Sequence, residues 1–119
     1  MPFDPRPYAA GLRRLNEREQ ERTAQRAVIA RARAADLARQ IGEHDSTVRC
    51  VYLFGSLQRD VPRNPDFDID LALDGGDLHR AMELAEDVEF AVDIVSIQRL
   101  PAHVVRHITT TGAVLYHRG

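Results

Sequence analysis

Acidic residues stand inside the most strand-prone stretches of this chain. The segment DFDIDLALD spans residues 66–74 and FAVDIVSI spans 90–97. Each surrounds carboxylates with apolar, β-prone residues, where an unpaired charge is costly to bury. Alternation along a strand puts Asp68, Asp70 and Ala72 on one face, with Ile69, Leu71 and Leu73 on the other. By the same rule Asp93 lies opposite Phe90, Val92 and Ile94. If the two strands are neighbours, three carboxylates converge. Three bare carboxylates would repel, and at least one would tend to hold a proton. A divalent cation resolves that conflict. An acid cluster without Cys or His suits hard Mg²⁺ better than zinc, and two ions ~3.5–4 Å apart are within reach of such a set.

The pair Gly55-Ser56 directly follows the apolar run VYLF. A glycine there lets the backbone approach a phosphate, and the following amides and the Ser56 hydroxyl can donate to it. Gly-Ser alone carries little information. Placed after a strand and ahead of Asp-x-Asp, it becomes a phosphate-binding candidate, with Arg59 nearby as a second one.

The other elements can be read from periodicity and punctuation. Residues 1–7 contain three prolines and are expected to be irregular. A long helix is expected from about Tyr8 to Ile41, with Gly42 as its stop. Ala27, Ala30, Ala34, Leu37 and Ile41 form an apolar stripe on its second half. Between Arg13 and Thr23 only Leu15 is apolar, so that half is either a solvated extension or a docking arm for another chain. Strands are expected at Val48–Phe54, Phe67–Leu73, Glu89–Ile97 and Ala113–Tyr116. A short helix or loop follows Gly55, and a proline-containing loop covers Arg59–Pro65. Asp77 is expected to cap a helix with an apolar face at Leu78, Ala81, Met82 and Ala85. Pro101 should open a last helix that Gly112 stops. The fold class is α/β (α+β): a small mixed sheet of about four strands with packed helices, preceded by a long N-terminal helix. Residues 1–42 are expected to form the extension and helix, and 43–119 the core, within one compact domain.

Composition excludes several classes. With 44% hydrophobic and 29% charged residues the chain is an ordinary globular sequence. A net charge of −2 gives no drive toward nucleic acid or membrane. All 16 basic residues are Arg, in keeping with a GC-rich coding sequence. Ten of them lie in residues 1–49 and six in 50–119, against seven and eleven acids. No apolar run approaches the ~18 residues of a membrane span, and the N-terminus lacks a signal-peptide core. A cytoplasmic location is therefore expected. The single cysteine, Cys50, reads as a packing residue. His103 and His107 in HVVRH have a spacing that can bind zinc, but no HExxH glutamate accompanies them, and they read as a surface pair.

The pieces FGSLQRD, DFDIDLAL and VDIV, with a closing GAVLYH, resemble the minimal nucleotidyltransferases of the DNA polymerase β-like superfamily. The resemblance covers about residues 48–117. It implies that Gly55 and Ser56 hold a triphosphate with Arg59 near it, and that Asp68 and Asp70 bind the metals. It further implies that Asp93 completes the metal site and helps deprotonate the attacking hydroxyl. Asp60 stands where the family often has glycine, and Phe67 where a small residue precedes the first aspartate. Standalone chains of this size resemble the antitoxin half of HEPN/minimal-nucleotidyltransferase toxin–antitoxin pairs. That likeness implies Mg²⁺-dependent transfer of AMP from ATP to a tyrosine of a HEPN ribonuclease toxin. The partner would be that toxin, docked through the N-terminal helix; a homo-oligomer is left open. Two alternatives remain at this point: neutralisation of the partner by binding alone, or nucleotidyl transfer to a small-molecule hydroxyl.

Overall fold

The computed structural model describes residues 4–59, 62 and 64–119. Its first element, α1, runs from Arg6 to His44. It starts earlier than expected because Pro7 sits in the first turn, where a missing N–H costs nothing. The Asp4 carboxylate accepts from both the backbone and the guanidinium of Arg6. The helix also runs past Gly42, which is not its stop. A β-carbon on Gly42 would fall within the ring of Tyr116, so glycine here serves a close approach between helix and sheet.

At 1.5 Å per residue, the 39 residues of α1 span about 58 Å. That length dominates the longest dimension of the molecule, 71 Å. Thr23, Ala27, Ala30, Ala34, Leu37, Ala38, Ile41 and Gly42 are buried, at the three–four spacing of one helix face. The small alanines let the helix lie close to the sheet beneath. From Asp4 to Arg22 only Ala10 and Gly11 are even half-buried, so this half of the helix overhangs the core.

The strands are β1 (Val48–Phe54), β2 (Ile69–Gly75), β3 (Val92–Ser96) and β4 (Ala113–His117). They form one mixed sheet in the order β3-β2-β1-β4. The central strand β1 is antiparallel to β2 and β4, while β2 and β3 are parallel. Val51, Leu53, Ile69, Leu71 and Leu73 are buried against the α1 stripe. Strands β2 and β3 both start later than the sequence suggests. Phe67 and Asp68 precede β2, although the Ile69 N–H already donates to the Ala91 carbonyl at 2.8 Å. Glu89 to Ala91 precede β3, and Ile97–Arg99 turns as a 3₁₀ helix.

Three further helices connect the strands: α2 (Ser56–Arg59), α3 (Leu78–Ala85) and α4 (Ala102–Thr111). The Asp77 side chain caps α3 by accepting from the N–H groups of His79 and Arg80. Pro101 stands at the N-cap of α4, one position before its first turn. Gly112 ends α4, its N–H donating to the Ile108 carbonyl at 2.8 Å. Arg118, near the C-terminus, donates to the carbonyls of Val48 and Gly42 and ties the last strand to the end of α1. Among the described residues, no helix is long and apolar enough to cross a membrane.

Candidate active site

The site lies where the C-terminal end of β1 meets the N-terminal ends of β2 and β3. The pairing of β1 with β2 sets Phe54 against Asp70, so Gly55 emerges beside that carboxylate. Gly55 has φ +80°, a left-handed conformation that β-carbon sterics disfavour. A β-carbon there would also strike the Asp70 carboxylate. The turn releases the chain into α2, which begins at Ser56 and is anchored by fully buried Leu57. The Leu57 carbonyl accepts from Arg31 of α1 at 3.0 Å, tying this turn to the long helix.

Asp70 and Asp93 are register partners on adjacent parallel strands, so their side chains share the sheet face turned away from α1. Asp70 is half-buried, while Asp68 and Asp93 are exposed. Burial raises the Asp70 carboxyl above its ordinary value, and the charges of Asp93 and Asp68 raise it further. Each of the three acids is thus close enough to be felt at one carboxylate. Among the described residues, however, no three His, Cys, Asp or Glu side chains are gathered tightly enough to cage a metal by themselves. The donor set fits Mg²⁺ on chemical grounds. It offers carboxylates only, and Mg²⁺ takes one or two of them and fills its shell with water and phosphate oxygens.

A hollow of about 450 Å³ opens beside these acids, with Ser56, Asn64, Asp66, Phe67, Asp68 and Asp70 on its walls. Asn64 and Asp66 were not anticipated. The Asn64 side chain accepts from the Asp66 N–H at 2.8 Å, which shapes the loop leading into β2. The loop text Asn-Pro-Asp signals a turn but not that the turn borders the acids. Asp60, one departure from the family pattern, lies outside the described residues.

Phe67, the other departure, has a structural reason. Its ring stacks on Phe90 with centroids 5.9 Å apart and planes 19° from parallel. The Arg26 guanidinium from α1 lies over both rings, 4.9 Å from the Phe90 centroid. These two phenylalanines precede Asp68 and Asp93 respectively in their chain segments, so the stack braces the entry points of both strands. The Arg33–Glu89 ion pair at 2.6 Å adds a second tie between α1 and the segment before β3.

Comparisons with known proteins bear on the family and the fold. Residues 38–119 match the family described as Polymerase beta, Nucleotidyltransferase. A toxin–antitoxin crystal structure with AMP-PNP contains a chain of similar fold, 21% identical, with 71% of this chain and 73% of that one covered and a TM-score of 0.58. The MntA-HepT toxin–antitoxin structure matches at 19% identity, 71% coverage of each chain and a TM-score of 0.52. A structure from Shewanella oneidensis matches with the same identity, coverage and score. At these identities the solved structures bear on fold alone. No curated protein matches the sequence. The family match covers most of the chain, including the turn at Gly55 and the acids of β2 and β3, and the chain belongs to the polymerase β nucleotidyltransferase family.

Proposed function

We propose that this protein transfers AMP from ATP to a tyrosine of a HEPN-type ribonuclease toxin and thereby acts as its antitoxin. The observation that carries the reading is the pairing of Asp70 with Asp93 beside the left-handed turn at Gly55. It is supported by the likeness to a toxin–antitoxin structure with AMP-PNP.

In this reading Gly55 and Ser56 hold the triphosphate through backbone N–H groups and the Ser56 hydroxyl. Asp68, Asp70 and Asp93 hold Mg²⁺. The bound ion supplies charge neutralisation at the phosphate and a lowered pKa for the attacking hydroxyl. Asp93 accepts the proton as the tyrosine oxygen bonds to the α-phosphorus. The bond from that phosphorus to the bridging oxygen breaks in line, and pyrophosphate departs with the electron pair. The raised affinity of Asp70 for a proton suits a carboxylate waiting for a cation.

We assign the chemistry to residues 43–119 and docking to residues 1–42. Support comes from the overhanging half of α1, where Leu12 and Leu15 are 62% and 60% exposed and lie three residues apart on one helix face. The same overhang favours one competing reading, neutralisation by docking alone.

The test combines labelled ATP, Mg²⁺ and a purified HEPN-type partner with the full chain. Label should appear on a partner tyrosine and be lost with Asp68→Ala plus Asp70→Ala. Full neutralisation by that double variant, with no label transferred by the wild type, would support docking and end the catalytic reading.

A further inference from the structure

Three arginines of α1 grip the segments that carry the site. Arg31 donates to the Leu57 carbonyl, next to Ser56. Arg33 pairs with Glu89 ahead of β3. The Arg26 guanidinium lies over the rings of Phe67 and Phe90. All three arginines stand before residue 38, where the family match begins. Asp68 depends on one of these grips more than the other two acids do. Asp70 and Asp93 are held in the sheet as register partners. Asp68 precedes β2, which starts at Ile69, and has no register partner of its own. Its side chain is exposed, and among the described residues its carboxylate accepts no hydrogen bond that would orient it. Only its neighbours hold it. On one side the Ile69 N–H donates to the Ala91 carbonyl at 2.8 Å. On the other side Phe67, 8% exposed, stacks on Phe90. The guanidinium stands 5.9 Å from the Phe67 centroid and 4.9 Å from the Phe90 centroid. Among the described residues Arg26 has no hydrogen-bond or ion-pair partner, so the two rings are what its charge meets.

We propose that Arg26 is a positioning residue for Asp68: through the Phe67–Phe90 stack it fixes the stretch of backbone from which Asp68 reaches the metal. The inference rests on the metal-dependent transfer reading above. A carboxylate on a loose segment loses conformational freedom when it takes up an ion. A segment already clamped has lost that freedom on folding, so the ion binds more tightly. The clamp itself is the attraction of a cation to the faces of aromatic rings. A small residue at position 67 would leave the cation one ring and Asp68 no anchor on that side. Groups that orient a metal ligand without touching the metal typically change its affinity by about 10–100-fold. The effect is therefore large at the metal site, although Arg26 is an exposed residue on a helix outside it.

The test uses Mn²⁺ as the probe, on the full chain with a non-hydrolysable ATP analogue, with free Mn²⁺ read by its paramagnetic resonance. Arg26→Ala should weaken Mn²⁺ binding about tenfold. Its melting temperature should fall by less than about 5 °C, because an exposed cation–π contact adds little to stability. Arg26→Lys keeps a cation above the rings and should recover most of the affinity. In an Asp68→Ala background Arg26→Ala should have no further effect, the coupling that marks one residue acting through another. Gly42→Ala crowds the other end of α1 against Tyr116. It should lower the melting temperature and leave Mn²⁺ affinity unchanged. Unchanged affinity in Arg26→Ala, no recovery by Arg26→Lys, or an equal loss with and without Asp68 overturns the proposal. If Asp70→Ala abolishes Mn²⁺ binding in that case, the metal reading survives alone. If the wild type binds no Mn²⁺ with the analogue, both fall.

Discussion

Gly55 lies so close to Asp70 that a β-carbon on the first would collide with the carboxylate of the second. The contact joins two features that sequence keeps fifteen positions apart. It fixes where a phosphate held by the turn must sit relative to the acids. Gly55→Ala meets two penalties at once, a left-handed backbone at φ +80° and the collision. It should destabilise the fold by about 1–3 kcal/mol, measured by urea unfolding, and displace Asp70 enough to abolish nucleotide transfer.

Asp70→Asn should separate stability from function. The folded state raises the Asp70 carboxyl through burial and through Asp93 and Asp68. A carboxyl raised on folding contributes stability that is present below its ordinary value and lost as pH rises through the raised one. The asparagine variant escapes that loss. Its melting temperature should exceed that of the metal-free wild type at neutral pH, and the gain should vanish below about pH 3.9. Added Mg²⁺ should raise the wild-type melting temperature more than the variant's, and chelation should reverse it.

Phe67→Ala removes a ring that is 8% exposed and stacked on Phe90 under Arg26. Loss of about 3 kcal/mol is expected, the lower end for a large aromatic truncated in a core. Arg26→Ala should cost less, about 0.5–1 kcal/mol for a partly exposed cation–π contact. Denaturant unfolding of both variants checks the order.

Gly42→Ala runs against helix propensity. In an exposed helix interior the change gains about 1 kcal/mol. Here the new methyl enters the space of the Tyr116 ring, which the Arg118 guanidinium covers at 5.6 Å. Overpacking costs about 1–3 kcal/mol, so net destabilisation is expected. Combining it with Tyr116→Leu should recover part of the loss, a coupling that a double-mutant cycle reads directly.

The sheet was legible because its code is local. Val48–Phe54 is bounded by a turn on each side, and the alternation in DFDIDLAL separates a core face from an acid face. That alternation also foretold that Asp70 and Asp93 could share a face, given adjacent strands. What escaped depends on contacts between distant segments. Gly42 reads as a helix stop until the Tyr116 ring is placed above it. Thr23 extends the buried stripe of α1, though a polar residue there gives no such sign. Phe67 looks like a departure from pattern until Phe90 and Arg26 are brought beside it.

The most direct test of the central claim is a crystal structure of the full chain with a non-hydrolysable ATP analogue and Mn²⁺, read by anomalous scattering. The account predicts a metal peak within coordination distance of Asp70 and at least one of Asp68 and Asp93, with the triphosphate against Gly55 and Ser56. Metal and phosphate bound elsewhere, with those three carboxylates left in water, would contradict it.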